Sequence, residues 1–204
     1  MCRFDASYWR GIDLLAGGLP CPPFSIAGKR LGADDDRNMF PAMLRIVEQT
    51  QPRGILIENV RGILTSPFAS LRAEVDGQLD DLGFDSYWTA FNAVEFGVPQ
   101  MRFRVFLVAL RRGHTKPLRW PIPTLRASST VGETLVDLMA SRGWKGAEAW
   151  AEKANAPAPT IVRRGMRPMK RSVYSAVILL QTRYLRRGRS LRPIFMRCAV
   201  VSLG

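Results

Sequence analysis

The sequence predicts an α/β fold in which helices cover the faces of a mostly parallel sheet. Two short apolar runs, at 11–18 and 54–60, each end in glycine or polar residues, as strands buried on both faces often do. Segments 40–47 and 68–82 repeat apolar side chains every three to four residues, which is typical of helices. Strands that alternate with helices along the chain favour a parallel sheet.

The first helix is predicted by apolar side chains that recur on one face. They are Phe40, Met43, Leu44 and Val47. Asp34–Asp36 precede this pattern, where carboxylates can cap a helix and interact favourably with its dipole. Pro52 lies just past the expected end of the helix, a position where proline is common.

The second helix follows the same period and ends at a glycine. Its apolar positions are Phe68, Leu71, Val75, Leu79 and Leu82. Gly83 stands where a C-terminal glycine is common. Residues 86–97 and 102–111 predict two more strands. A linker and two short helices are expected after them, at 116–129, 130–144 and 146–156.

Composition limits the classes of protein to consider. With 204 residues and 47% hydrophobic content, the chain can build one domain with a real core. It has no apolar run of 18 residues and no signal-like N-terminus, so we expect a cytoplasmic protein without a membrane partner. Three cysteines and one histidine are scattered, which predicts neither a metal site nor a disulfide framework.

The net charge of +13 is unevenly distributed along the chain. Residues 161–204 contain eleven Lys or Arg and no acid, so the other 160 residues carry 19 basic and 17 acidic side chains. Such a tail could attract nucleic acid through its phosphates. Alternatively, a 44-residue segment without an acid is unusual for a folded surface, and the tail could be foreign to the domain.

Cys21 is enclosed by prolines in the segment GGLPCPPFS, which directly follows the first predicted strand. Proline fixes φ and lacks an amide hydrogen, so this loop is stiff. A lone cysteine is most often a buried and unreactive apolar residue. A stiffened loop on both sides of the sulfur instead favours a thiol that is held in one direction.

Polar side chains also stand at the ends of the later strands. Glu58 and Asn59 end the second strand. The start of the last strand is flanked by Gln100, Arg102 and Arg104. Because ligands bind at the carboxyl ends of the strands in open α/β sheets, we expect Cys21 and Glu58 to share one edge. Each signal alone has a simpler interpretation, such as a solvated turn glutamate or a basic edge strand.

Taken together, three ordered motifs are more specific. PCPPFS is followed by ENV 37 residues after the cysteine, and QMRFR begins 42 residues after the glutamate. In order and separation they resemble the motifs of the DNA (cytosine-5)-methyltransferase family. The resemblance covers residues 10–110 well and extends to about 162. It implies a partial Rossmann-like, S-adenosylmethionine-dependent methyltransferase sheet and a poorly structured basic C-terminal tail.

The resemblance implies a reaction on a cytosine that is flipped out of double-stranded DNA, as in restriction-modification systems. Cys21 would be the nucleophile that adds to carbon 6 of the base, and Glu58 would bond to its N3 and amine edge. Arg104 would contact the cytosine O2 and support the glutamate. S-adenosyl-L-methionine would donate the methyl group, although the resemblance identifies none of the residues that would bind it here.

Four further residues take substrate-binding roles by the same resemblance. Asn59 would orient Glu58, Arg102 would assist loop and backbone contacts, and Gln100 would shape this part of the site. Ser25 and the loop after it would close over a phosphate.

The resemblance also implies how the chain is divided. Residues 1–113 would be a partial catalytic core, 114–162 a linker with the start of a target-recognition region, and 163–204 the basic tail. The family's N-terminal Phe-x-Gly-x-Gly loop and C-terminal motifs are absent. We therefore expect a fragment with an incomplete cofactor pocket, which a second chain would complete.

Three alternatives stay open. A non-enzymatic nucleic-acid-binding remnant would depend on the basic tail. A cysteine hydrolase would use Cys21 with His114, which lies in a polar turn after the last strand. A tRNA cytosine-5 enzyme would share the motifs of the DNA family.

Overall fold

The computed structural model describes residues 5–19, 38–113, 117–124, 129–160, 175–187 and 190–203, the last two ranges as backbone strands. These residues form two compact units. The first comprises the described parts of Met1–Thr89, Val105–Leu118 and Arg171–Gly204. The second comprises those of Ala90–Arg104 and Arg119–Lys170. The division expected from the sequence, at 113/114 and 162/163, stays a prediction.

Eight strands and four α-helices occur in the described residues. The strands are β1 (Leu14–Gly18), β2 (Gly54–Asn59), β3 (Phe84–Asn92), β4 (Gln100–Met101), β5 (Phe103–Arg111), β6 (Ala158–Pro159), β7 (Ser175–Arg187) and β8 (Ser190–Leu203). The helices are α1 (Phe40–Thr50), α2 (Ala69–Asp81), α3 (Val131–Ala140) and α4 (Ala147–Lys153). Short 3-10 turns lie at Ser7–Trp9, Arg61–Leu64, Ser66–Phe68 and Ala93–Phe96. The α/β class predicted from the sequence is confirmed.

The main sheet is mixed, whereas the sequence suggested a mostly parallel one. Its order is β3-β5-β2-β1-β7-β8, and β4 pairs with β6 separately. β1 and β2 are parallel, but β5 runs antiparallel to β2 and β7 runs antiparallel to β1. The physical reason for the β5 direction is its connection from β3, residues 93–102, which is shorter than the dozen or so residues that a parallel crossover needs.

The predicted helix period of α1 is confirmed. Phe40, Met43, Leu44 and Val47 are all buried on the face that packs against the core. Asp34–Asp36, which were expected at the N-terminus, lie outside the described residues. Within the described chain, Asn38 Oδ1 accepts a hydrogen bond from the Phe40 amide at 3.2 Å. The helix ends where Gln51 adopts a left-handed φ of 44° ahead of Pro52.

α2 ends as the sequence predicted, with Gly83 at a φ of 87° just past its C-terminus. Leu71, Val75 and Leu79 are buried. α2 also makes polar contacts with β3. The Asp76 carboxylate accepts hydrogen bonds from the Ser86 hydroxyl at 2.6 Å and the Trp88 indole at 2.8 Å. One carboxylate therefore joins α2 to β3.

Asp76→Ala should lower the free energy of unfolding by about 1–3 kcal/mol, because two partly buried donors would lose a charged acceptor. Urea denaturation of the full chain measures this loss. Asp81→Ala is the control on the same helix, where the carboxylate is exposed and the expected change is below about 0.5 kcal/mol. Equal losses in the two variants would show that the Asp76 bonds do not stabilise the unit.

The core of the first unit is a layer between the sheet and the two helices. The central strands supply Leu15, Ile55, Ile57, Val105, Leu107 and Ala109, all at most 1% exposed. Their alternation with less buried neighbours matches the two-residue period of a strand. This packing holds β1, β2 and β5 in place, and it therefore also positions the residues at the ends of these strands.

Two strands lie in the segment for which the sequence predicted a poorly structured tail. β7 pairs antiparallel with β1, and β8 pairs antiparallel with β7 over Ser175–Leu203. The reason lies in the apolar runs AVILL and CAVV, since valine and isoleucine favour extended backbone and offset the basic composition. Residues 161–174 lie outside the described chain.

The second unit is built on a helical hairpin and a short sheet. Both predicted helices are present as α3 and α4, and Thr130 and Glu133 form a capping box at the start of α3. β4 pairs in parallel with β6, with Gln100 opposite Ala158. Within the residues that the structure describes, no helix is long and apolar enough to cross a membrane.

Candidate active site

The first part of the site is the end of the parallel pair β1–β2. The register places Gly18 directly opposite Glu58. The pairing continues one residue further, since the Leu19 amide donates to the Glu58 carbonyl at 3.4 Å. Both strands therefore finish at the same edge of the sheet. From this edge the chain proceeds into the segment that contains Cys21 and Ser25, two predicted site residues that lie outside the described chain.

The Glu58 carboxylate lies close to Gly18, the last residue of β1. A Cβ built on Gly18 would lie 3.5 Å from Glu58 Oε2. The Glu58 side chain is half-buried, and register partners in neighbouring strands present their side chains on the same face. The carboxylate thus lies beside β1. The expectation that it shares this edge with Cys21 stays a prediction.

Asn59 forms the last residue of β2 and is 1% exposed. Its Oδ1 accepts a hydrogen bond from the Val60 amide at 2.8 Å, which caps the strand at the point where the chain turns into Arg61–Leu64. On its other side Asn59 pairs with Val105 of β5. The amide side chain therefore fixes the backbone next to Glu58, which suits the orienting role expected for it.

Gln100, Arg102 and Arg104 belong to the second unit and are all half-buried. Gln100 Nε2 donates to the Pro159 carbonyl at 3.5 Å, across the β4–β6 pair. The Arg102 amide donates to Asn92 Oδ1 at 3.0 Å. Arg104 Nη1 donates to the Phe103 carbonyl at 2.7 Å. In the sequence Arg104 directly precedes Val105, the partner of Asn59 in the sheet.

The sequence motifs missed several residues that contact the predicted ones within each unit. In the first unit, Gly18 leaves space beside the Glu58 carboxylate. In the second, Asn92 and Thr160 bond to the backbone of the Gln-x-Arg segment. None lies in a pattern with a recognisable period, so only the folded chain reveals them. His114 lies outside the described residues. Elsewhere in the described chain, no group of three His, Cys, Asp or Glu side chains could hold a metal ion.

Comparison with known proteins agrees with these motifs. The family model for C-5 cytosine-specific DNA methylase matches residues 4–194. The chain is 52% identical over 152 residues to the type II methyltransferase M.NaeI of Lentzea aerocolonigenes, covering 74% of this chain and 37% of that protein. It is 46% identical over 159 residues to M.NgoMIV of Neisseria gonorrhoeae, covering 78% and 51%.

A solved structure gives a similar result for the fold. A prophage-encoded E. coli protein, described as a DNA modification methyltransferase, superposes with a TM-score of 0.51 at 26% identity. The match covers 61% of this chain and 34% of that one. The chain thus spans about half, or less, of the length of the relatives it matches. The family model covers most of the sequence, and the chain belongs to the C-5 cytosine-specific DNA methylase family.

Proposed function

We propose that this chain carries the base-activating chemistry of DNA cytosine-5 methylation in a restriction-modification system. The substrate would be a cytosine flipped out of double-stranded DNA, because carbon 5 of a stacked base cannot be reached. The observation that carries the proposal is the position of the Glu58 carboxylate, beside Gly18 at the strand end that leads to Cys21. Family membership and the type II methyltransferase relatives support it.

The proposed reaction begins with a covalent bond between the protein and the base. The Cys21 thiolate adds to carbon 6, and the electron pair of the C5–C6 double bond becomes available at carbon 5. Carbon 5 then takes a methyl group. S-adenosylmethionine, the donor expected for the family, would supply that methyl in electrophilic form on a sulfonium and would leave as the thioether S-adenosylhomocysteine. Loss of the carbon-5 proton to a base reforms the double bond and expels the cysteine sulfur.

Glu58 would assist the first step by bonding to N3 and the exocyclic amine of cytosine. A proton held on N3 withdraws electrons from the ring, which makes carbon 6 more electrophilic. Cys21 follows Leu19 by two residues, so extended covalent geometry limits the separation of their Cα atoms to about 7 Å. The hydrogen bond from the Leu19 amide to the Glu58 carbonyl supports the proposal that the thiol and the carboxylate act on one pyrimidine ring.

The remaining predicted residues would hold the substrate. Arg104 would contact the cytosine O2, while Arg102 and Gln100 would support the loop and backbone around the base. Asn59 would orient Glu58 through the strand end that it caps. Ser25 would bind a phosphate of the DNA. We assign none of the described residues to the methyl donor.

A duplex that contains 5-fluorocytosine tests this proposal. After methyl transfer, carbon 5 carries fluorine and methyl but no removable proton, so the bond between sulfur and carbon 6 cannot break. The full chain should form a denaturant-stable protein–DNA adduct when S-adenosylmethionine is supplied at a concentration high enough to offset the incomplete cofactor pocket expected from the sequence. Cys21→Ser should abolish the adduct, whereas Cys198→Ser should form it at the unsubstituted rate. No adduct with Cys21 intact would contradict the proposal.

A second function is favoured by the charge of the chain. Residues 161–204 carry eleven basic side chains and no acid, which suits non-enzymatic binding to phosphate backbones. The same experiment separates the two. A binding remnant would retain salt-sensitive affinity for the duplex, indifferent to Cys21→Ser, and would form no adduct.

A further inference from the structure

The backbone carbonyls of Pro99 and Met101 accept hydrogen bonds from the segment around β6. The Ala158 amide donates to the Pro99 carbonyl at 2.8 Å. The Thr160 hydroxyl donates to the Met101 carbonyl at 2.6 Å. The two bonds are spaced along the parallel β4–β6 pair, and all these residues belong to the second unit. The Thr160 side chain thus extends a backbone pairing that is only two residues long.

A second side chain, from a residue that precedes segment 99–102 in the sequence, also bonds to its backbone. Asn92, the last residue of β3, is 6% exposed, and its Oδ1 accepts from the Arg102 amide at 3.0 Å. The next amide, of Ala93, donates to the Arg102 carbonyl at 2.9 Å. Arg102 lies between β4 and β5 and belongs to neither strand. Asn92 therefore supplies a hydrogen bond where strand pairing is interrupted.

We propose that Asn92 and Thr160 are positioning residues for the Gln-x-Arg segment. By holding the Arg102 amide and the Met101 carbonyl, they fix the backbone from which the Gln100 and Arg102 side chains project. This inference rests on the proposed function, in which those two side chains support the DNA substrate. Neither Asn92 nor Thr160 touches the base in this role.

A weak hydrogen bond can have a large effect on rate, because the rate depends strongly on where the reacting and substrate-binding groups lie. A single hydrogen bond of this kind stabilises a folded chain only slightly. A displacement of about 1 Å in a positioned group, however, can slow a reaction by roughly a hundredfold. Loss of either side-chain bond should therefore reduce the rate of reaction even where the chain stays folded.

The test compares substitutions that remove each bond with substitutions that keep it. Asn92→Leu and Thr160→Val remove the acceptor and the donor, whereas Asn92→Asp and Thr160→Ser retain them. We expect the first pair to lower the rate of adduct formation, at saturating 5-fluorocytosine duplex, by about tenfold to a hundredfold. The second pair should stay within about threefold of the unsubstituted rate. The dissociation constant for DNA should change little in all four, because phosphate contacts supply most of the affinity.

Thr134→Val and Asn38→Leu are matched controls. Thr134 donates its hydroxyl to the Thr130 carbonyl at 2.9 Å, and Asn38 accepts from the Phe40 amide, so each control removes a similar bond elsewhere. Both should react at the unsubstituted rate. Rates that fall equally in controls and test variants, or that do not fall in the test variants, would overturn the positioning role.

Hydrogen exchange at the Arg102 amide separates this inference from the proposed function. In the full chain, Asn92→Leu should accelerate exchange at this amide by about tenfold, while Asn38→Leu should leave it unchanged. Absence of any adduct in the unsubstituted chain would contradict the proposed function but leave this readout intact. Equal exchange in the chain with and without Asn92→Leu would overturn the inference itself.

Discussion

Glu58→Gln is expected to slow formation of the 5-fluorocytosine adduct by roughly 10²–10⁴-fold, the usual range for loss of a general acid. Glutamine keeps the size and shape of the side chain and can still lie beside Gly18. It cannot deliver a proton to N3, so carbon 6 stays a poor target for the Cys21 thiolate. DNA affinity should be little affected, because phosphate contacts supply most of it.

The measurement is a time course of adduct formation at saturating duplex and S-adenosylmethionine. Glu74→Gln is the matched control, since Glu74 is an exposed carboxylate on α2. Its Oε1 accepts a hydrogen bond from Gln78 Nε2, one helical turn away, at 3.1 Å. That variant should react as fast as the unsubstituted chain. A Glu58→Gln chain with an unchanged rate would remove Glu58 from the chemistry.

Gly132→Ala is expected to destabilise the α3–α4 hairpin by about 3 kcal/mol, at the upper end of overpacking costs. A Cβ at Gly132 would lie 2.1 Å from the Ala151 carbonyl oxygen and within 2.9 Å of two more backbone atoms. Backbone cannot rotate out of the way, so the two helices would have to separate. The bond from the Gly132 amide to the Ala154 carbonyl, now 2.8 Å, would be strained as well.

Thermal unfolding of the full chain, followed by tryptophan fluorescence, measures this effect because Trp144 and Trp150 lie 6.4 Å apart within the hairpin. Gly77→Ala is a control of opposite sign. A Cβ at Gly77 in α2 meets nothing within 4 Å, and alanine should stabilise a helix interior by about 0.5–1 kcal/mol. If both substitutions stabilise the chain, this would contradict the close contact between Gly132 of α3 and the backbone of Ala151 in α4.

Much of the fold could be predicted from local patterns. The 3.6-residue period located α1 and α2, and Gly83 marked the end of α2 correctly. The apolar runs located β1 and β2. Strand direction could not be predicted in the same way, because it depends on which strands pair and on the length of the connection between them. The antiparallel course of β5 therefore appeared only in the folded chain.

The site shows the same division between local and distant information. Glu58 was predicted at a strand end because the apolar run before it is visible in the sequence. The hydrogen bonds from the Arg102 amide to Asn92 and from the Thr160 hydroxyl to the Met101 carbonyl join residues 10 and 59 positions apart, and no period relates them. The space above Gly18 depends on register across two strands, which the sequence of either strand alone does not specify.

We expect the Cys21 sulfur and residue 58 to lie at the same edge of the sheet, and the proposed reaction depends on this. In a chain with Cys2→Ser and Cys198→Ser, Glu58→Cys provides one partner thiol for Cys21. Arg53→Cys provides the control, because Arg53 precedes the opposite end of β2, about 16 Å away along the strand. A short thiol–thiol cross-linker, followed by peptide mass spectrometry, should join Cys21 to residue 58 and leave residue 53 unlinked. Efficient linkage to residue 53, or none to residue 58, would contradict the account.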